Sequence, residues 1–327
     1  TLLKKSKKHS NRMTEQQMKR FYTIDENNNE QFDGDWFNEA KEEKSLITVN
    51  SLSGGKTSSY IACNYPADHN LFSLVRTDDK NCLFPDAKVR QMVSDRIGKE
   101  FVGTLEEDTI IYTMLDLEQY IGKKINWVSG KTFDEIIVRK DKKYLPNVTQ
   151  RFCTTEMKLK PLFDWWFKNI NEPVEMRIGF RSSEQRRAKN MIEKTNQFGL
   201  SEFKHIVGKH KNGNNKWKTT GWQIPSFPLI KDAIFKDNVE EFWKDKPVRF
   251  AFMNNCIGCF HRNEALLNYM SRKHPEKFEW FCNAEKDGYG QRTFKNGTTY
   301  DKIKNAFKKI DLFGTDFNDC DSGVCGL

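Results

Sequence analysis

The chain has 327 residues, and its 54 Lys plus Arg against 45 Asp plus Glu give a formal charge of +9 and an isoelectric point near 9.0. That length suffices for one large or two ordinary domains with full cores, and no run approaches the roughly 18 apolar residues of a membrane span. No stretch reads as a secretion signal, so the expectation is a soluble, cytoplasmic protein with no membrane partner, whose positive charge suits a small anionic substrate or nucleic acid.

Residues 1–43 are polar and charged, with Lys4, Lys5, Lys7, Lys8 and Arg12 ahead of Met13. They read as a basic, solvated extension, with Met13-Thr14 the expected natural start and residues 1–12 upstream of it. A nucleotide-binding domain is expected over 44–250, and a cysteine-containing, metal-binding segment with its tail over 251–327.

The run from Leu46 to Leu52 reads as a buried strand that ends in Ser53-Gly54-Gly55-Lys56-Thr57-Ser58. Two glycines let the backbone approach a ligand, and the helix predicted over 57–63 offers free N–H groups to an anion, most often phosphate. Ser53, Thr57 and Ser58 add hydroxyl donors, and Lys56 adds a charge. Gly55-Lys56-Thr57 matches the end of a Walker A loop, but Asn50 stands where that motif needs its first glycine. A shorter S-G-G-x-x-S turn remains.

The next strand is predicted from Leu71 to Val75, leading into Arg76-Thr77-Asp78-Asp79. Carboxylates at that rim are placed to contact a ribose or hold magnesium, and an ordinary turn explains Asp78 and Asp79 equally well. A helix is expected from Pro85 to about Ile97, and 109–113 and 124–128 read as further strands. The alternation predicts an α/β fold: a doubly wound, mostly parallel sheet with helices on both faces.

Farther on, Arg151-Phe152-Cys153-Thr154 runs through Lys158 to Pro161, so a guanidinium, a thiol and lysines precede an aromatic helix around Phe163 and Trp166. A strand over 174–178 ends in Gly179-Phe180-Arg181, a glycine turn with an arginine, and Glu184 and Arg187 follow one helical turn apart. Arg181 and Arg187 are placed to clamp anionic groups, with Glu184 fixing one of them. Residues 208–218 form a basic, glycine- and asparagine-rich loop near Trp217 and Trp222, either a mobile hairpin tip or a track for nucleic acid. Pro225 and Pro228 make 224–230 an edge segment, before a helix over 237–243.

Cys256-x-x-Cys259 has the spacing of a metal knuckle and precedes a helix over 263–272. Zinc held by Cys256, Cys259, Cys320 and Cys325 is one arrangement and an iron–sulfur centre the other, and spacing does not separate them. His261 is a candidate ligand or a solvent-facing residue, while Cys63 and Cys82 read as small buried apolar groups.

In this order the S-G-G loop, the R-x-C-T-x-x-x-K-x-x-P segment and the G-x-R-x-x-E-x-x-R segment resemble the phosphoadenylylsulfate (PAPS) reductase family of adenine-nucleotide alpha hydrolases, over about residues 46–285. The resemblance implies one nucleotide site lined by Ser53, Gly54, Gly55, Thr57, Ser58, Arg151, Lys158, Arg181 and Arg187. It implies ATP or an adenylyl sulfate such as PAPS as ligand, with chemistry at or beside the α-phosphate. Iron–sulfur members place a cysteine of the 151–158 segment with the later C-x-x-C around a 4Fe–4S cluster, which makes Cys153, Cys256 and Cys259 ligands here. Those members carry a double cysteine where this chain has Phe152-Cys153, so the fourth ligand falls to Cys282, Cys320 or Cys325.

The ending Cys325-Gly326-Leu327 resembles the E-C-G-L tail whose cysteine attacks the sulfate sulfur, with Val324 in place of the glutamate. Three functions stay open: a reductase using Cys325, a magnesium-dependent ATP pyrophosphatase-type sulfurtransferase acting on nucleic acid, as in DNA phosphorothioation or tRNA thiolation, and a regulatory module that binds nucleotide without turnover. A homodimer is compatible with all three.

Overall fold

The computed structural model describes residues 22–24, 30–32, 45–139, 142–286 and 293–306. Two short strands, β1 (Tyr22–Ile24) and β2 (Glu30–Phe32), pair antiparallel. The main sheet has six strands, beginning with β3 (Ile47–Leu52), β4 (His69–Ser73) and β5 (Ile125–Val128). After a small separate pair, β6 (Val138–Arg139) with β7 (Lys142–Lys143), it is completed by β8 (Val174–Arg177), β9 (Ser201–Lys209) and β10 (Asn215–Ser226). Its order is β5-β4-β3-β8-β10-β9, parallel throughout except for the antiparallel edge strand β9.

The chain therefore steps outward from β3 to β4 and β5, then returns to build on the other side of β3. In an open α/β sheet, ligands bind in the crevice beyond the carboxyl ends of the strands where the winding reverses. Here that point lies between the ends of β3 and β8, at Ser53-Gly54-Gly55 and Gly179.

Alternation along β4 sends Leu71 and Phe72 into different hydrophobic clusters. Phe72 packs with residues of α1 (Lys56–Asn64), α2 (Ala87–Ile97) and α3 (Thr109–Ile121), whereas Leu71 packs with Phe163 and Trp166 of a later helix, Lys160–Asn169. Asp86 caps α2 by accepting from the Lys88 and Val89 N–H groups, and Gly98 ends it in a left-handed conformation, φ 64°.

Residues 109–113 are helical, not the strand that their β-branched run suggests. Ile110, Ile111, Met114 and Leu117 are all buried, and that spacing is the 3.6-residue stripe of a helix. The segment 224–230 also differs. It holds the end of β10 and a short helix, so β10 is an interior strand and β9 the edge. Pro225 is tolerated because the last β9 pair is Ser201 with Gln223, and beyond it β10 bonds only to β8.

A third cluster joins α4 (Phe133–Ile137) to three C-terminal helices, whereas α5 (Lys160–Asn169) and α6 (Gln185–Ile192) belong to the second. After the short α7 (Pro228–Lys231) and then α8 (Lys236–Trp243), those three are α9 (Glu264–Lys273), α10 (Pro275–Lys286) and α11 (Tyr300–Asn305). Of these, α9 and α10 are bonded to the run Leu105 to Asp108 just before α3. Glu107 accepts from the Met253 N–H at 2.6 Å and from Lys273 Nζ at 2.9 Å. Lys277 Nζ donates to the Glu106 carbonyl and to Asp108 Oδ1, each at 2.7 Å.

Burial alone would raise the Glu107 pKa, but hydrogen bonds from His274, Lys273 and the Met253 N–H outweigh it and hold the carboxyl below its usual 4.5. Because the folded value is the lower one, this carboxylate contributes stability above about pH 4.5 that is lost as the pH falls below it. Urea denaturation at pH 5, 4 and 3 is expected to show falling stability, with a shallower fall in Glu107→Gln, which is less stable than the parent already at pH 7.

Candidate functional site

The S-G-G turn is built by its own hydroxyls. Ser58 Oγ lies 3.1 Å from both the Gly55 carbonyl and the Ser53 N–H, and 3.0 Å from Ser53 Oγ, so the loop closes back on the first turn of α1. Gly55 is the N-cap and supplies no side-chain cap, which leaves the first N–H groups of α1 without a capping oxygen from that position. Gly54 has φ 83°, and a Cβ there would lie 2.6 Å from Ile110 Cγ2, so both conformation and space demand glycine. Asn50 is fully buried inside β3, bonded to Asn70 Oδ1 and the Tyr65 carbonyl, so the turn is the short one and not a Walker loop.

Gly179 brings the end of β8 against this turn, where a Cβ would sit 3.4 Å from the Ser58 nitrogen. A cleft opens between the strand ends, where Ser53, Ser73, Thr154, Lys158 and Gln223 face an apolar wall of Leu52, Leu159, Leu162, Met176, Ile178 and Trp222. Its roof is the segment Phe152–Thr154 and the π-helical turn Thr155–Leu159, leading into α5. Such wide turns favour functional positions because they re-aim side chains. Ser73 Oγ pins the roof by donating to the Met157 carbonyl at 2.9 Å, and Lys158 Nζ is ion-paired with the buried Glu106 at 3.0 Å.

On its other side the same roof closes a second cavity. Arg151, Cys153, Thr154, Lys158, Cys256, Cys259 and His261 line it, with Phe133, Phe260, Phe281 and Phe294 as apolar wall. Gly258 is required in the C-x-x-C turn because a Cβ there would lie 2.5 Å from the Phe281 ring. Burial raises the Cys153 pKa and raises that of Cys256 well above 9.0, with the Glu106 charge adding to the latter. Burial, then Arg151, Lys295 and Arg262, push His261 down to about 4.

Three thiols suit soft metals or an iron–sulfur cluster by donor type. Among the described residues, however, no three Cys, His, Asp or Glu side chains stand close enough to hold one metal ion. Cys320 and Cys325 lie outside the described residues.

Other expected residues fall elsewhere. Lys56 points away from the cleft into a surface hollow beside α8, where it pairs with Glu240 and lies 6.0 Å from the Phe250 ring centroid. Asp79 accepts from the Asn81 N–H at 2.8 Å, which is the turn reading. Asp78 accepts from Thr132 Oγ1 at 2.7 Å. Arg181 and Arg187 both bond to Glu184, and Arg187 also covers the Phe180 ring at 4.4 Å, so Glu184 fixes the two arginines at once. Cys282 is fully buried in the third cluster and does not line the thiol cavity, and burial pushes its thiol up to about 12. Cys82 is buried as expected, and Cys63 half-buried.

Glu106 and Ser73 are the residues that motif reading misses. Each sits in no motif, and only the acidic run Glu106-Glu107-Asp108 before an apolar helix hints at a role. No protein-family model matches this chain, and no curated protein or solved structure matches it either.

Chemical denaturation is expected to rank three substitutions. Glu106→Ala leaves Lys158 without its buried carboxylate and should cost about 3 kcal/mol. Gly54→Ala should cost about 2 kcal/mol through left-handed backbone and contact with Ile110. Lys56→Ala removes a solvent-facing pair and should cost under about 1 kcal/mol.

Proposed function

We propose that the chain is a nucleotide-dependent enzyme of the PAPS reductase type, with a doubly wound PP-loop domain that binds an adenine nucleotide and acts at or beside its α-phosphate in sulfur transfer or sulfate reduction. One observation carries the reading: Thr154 and Lys158 line both the cleft at the S-G-G turn and the cavity that holds Cys153, Cys256 and Cys259. The cleft beside Ser53 and the thiol cavity thus share one wall. Helix residues in the clusters on both sides of β4 support the doubly wound part of the proposal.

In this reading the N–H groups at the start of α1 and the hydroxyl of Ser53 hold phosphate oxygens. Lys158, oriented by Glu106, stabilises charge that develops on the reacting group, while Arg181 and Arg187 stay engaged with Glu184. Preorganisation by buried carboxylates is what makes such cations effective, because they need not reorient as charge builds. Lys56, held by Glu240, is not part of this set. The thiol chamber is the proposed place for a 4Fe–4S centre, with zinc as the other candidate. ATP and PAPS share the adenosine and α-phosphate that this cleft would address.

Thermal unfolding with ATP or PAPS at about 100 times the dissociation constant should show stabilisation of about 2.7 kcal/mol. Lys158→Ala should lose it, and Lys56→Ala should keep it. Pyrophosphate released from ATP would identify a pyrophosphatase-type enzyme, and sulfite released from PAPS a reductase. Stabilisation by neither nucleotide would defeat the proposal. Iron, zinc and sulfide analysis of anaerobically purified protein should find metal that Cys256→Ser loses.

A further inference from the structure

The β9–β10 hairpin is longer than the sheet needs. Its base is packed: Phe203 stacks on Phe163 at 4.7 Å, Trp222 lies 5.7 Å from the same ring, and His205 Nε2 is 2.9 Å from Thr220 Oγ1. Beyond that base the two strands continue, paired as far as Lys209 with Asn215, with exposed residues from Ile206 to Trp217. The loop expected over 208–218 is therefore mostly strand, and only 210–214 form its tip.

Strand alternation sorts the side chains. Phe203 and His205 face α5, so Lys204 and Ile206 face the other way. Ile206 is directly opposite Trp217, and Lys204 Nζ lies 5.4 Å from the Trp217 ring centroid. Ile206 is 49% and Trp217 53% exposed, so the indole face is presented to solvent beside an ammonium. From Phe203 to Trp222 the sequence has Lys204, Lys209, Lys211, Lys216 and Lys218 and neither Asp nor Glu. An exposed indole with the Lys204 ammonium beside it, on a hairpin whose stretch from Phe203 to Trp222 carries five lysines and no Asp or Glu, matches the chemistry that holds a single-stranded nucleic acid, with bases on the ring and phosphates on the ammonium groups.

We infer that this hairpin is an arm that binds single-stranded nucleic acid, with Trp217 as the stacking residue. The arm leads to the proposed reaction cleft, since β10 continues from Trp217 to Gln223, which lines it. Six residues of strand span about 20 Å, so a strand held on the arm has bases within reach of the cleft mouth. The arm stands on its own geometry and does not rest on the nucleotide reading.

The test is fluorescence anisotropy of the full chain with a labelled 12-nucleotide oligothymidylate at 50 and 200 mM salt. Trp217→Ala should weaken binding at least about fivefold. Lys209→Ala/Lys211→Ala/Lys216→Ala should lower the slope of log affinity against log salt by about 2. Because these side chains are exposed, both variants should keep the parent unfolding temperature. Gly54→Val should lose adenine-nucleotide binding and keep oligonucleotide binding, which separates failure of the cleft proposal from failure of the arm. Absence of oligonucleotide binding, binding indifferent to both arm variants, or arm-dependent binding to phosphatidylserine vesicles without oligonucleotide binding would overturn the inference.

Discussion

Three consecutive carboxylates, Glu106, Glu107 and Asp108, are the constraint on which the arrangement of the site depends. Glu106 holds Lys158 of the roof, Glu107 holds Lys273 and the backbone at Met253, and Asp108 holds Lys277. The neighbouring Leu105 carbonyl accepts from the Ile257 N–H at 2.8 Å, inside the C-x-x-C turn. The run directly precedes α3, whose N-terminal dipole favours negative charge there. Buried pairs of this kind contribute little net stability against an apolar alternative, yet they are costly to break, so they act as determinants of position. Here they set where the roof, the cysteine turn and the C-terminal helices meet.

That meeting leaves the roof lining a cavity on each of its two faces. The π-helical turn widens the segment so that Thr154 and Lys158 border the cleft and the thiol cavity together. Neither space would be well formed if the roof were a loose loop, because its backbone is anchored at Met157 by Ser73 and its cation at Glu106. Cations beside buried thiols lower the cost of thiolate formation, while the aromatic wall raises it. In this chain burial prevails at Cys153 and Cys256, whose thiols are shifted upward.

Much of the frame was legible in the chain. The strand before Ser53, the short glycine turn, the helix expected from Pro85, which begins at Ala87, and the Gly179 turn each follow from local rules about φ and side-chain spacing, and each is present. Other features were not local. Residues 109–113 carry a strand-like composition, but the burial stripe through Leu117 makes them helical. Pro225 looked like an edge marker for its strand, and only the early end of β9 shows how an interior strand accommodates it. Lys56 has the sequence neighbours of a phosphate ligand, and it is Glu240, 184 residues away, that draws it aside.

By itself, the sequence determined the α/β character, the glycine-dependent turns at the ends of β3 and β8, the paired arginines around Glu184 and the basic, acid-free stretch beyond Phe203. These depend on residues within a few positions of one another, where backbone sterics and side-chain spacing act directly. Tertiary structure alone decided which expected cation faces the cleft, that Cys282 is core and stands apart from the cavity of Cys153, Cys256 and Cys259, and that Glu106 orients Lys158. Those outcomes depend on contacts between groups 50 to 100 or more residues apart, and such pairings are fixed by packing and burial rather than by any local pattern.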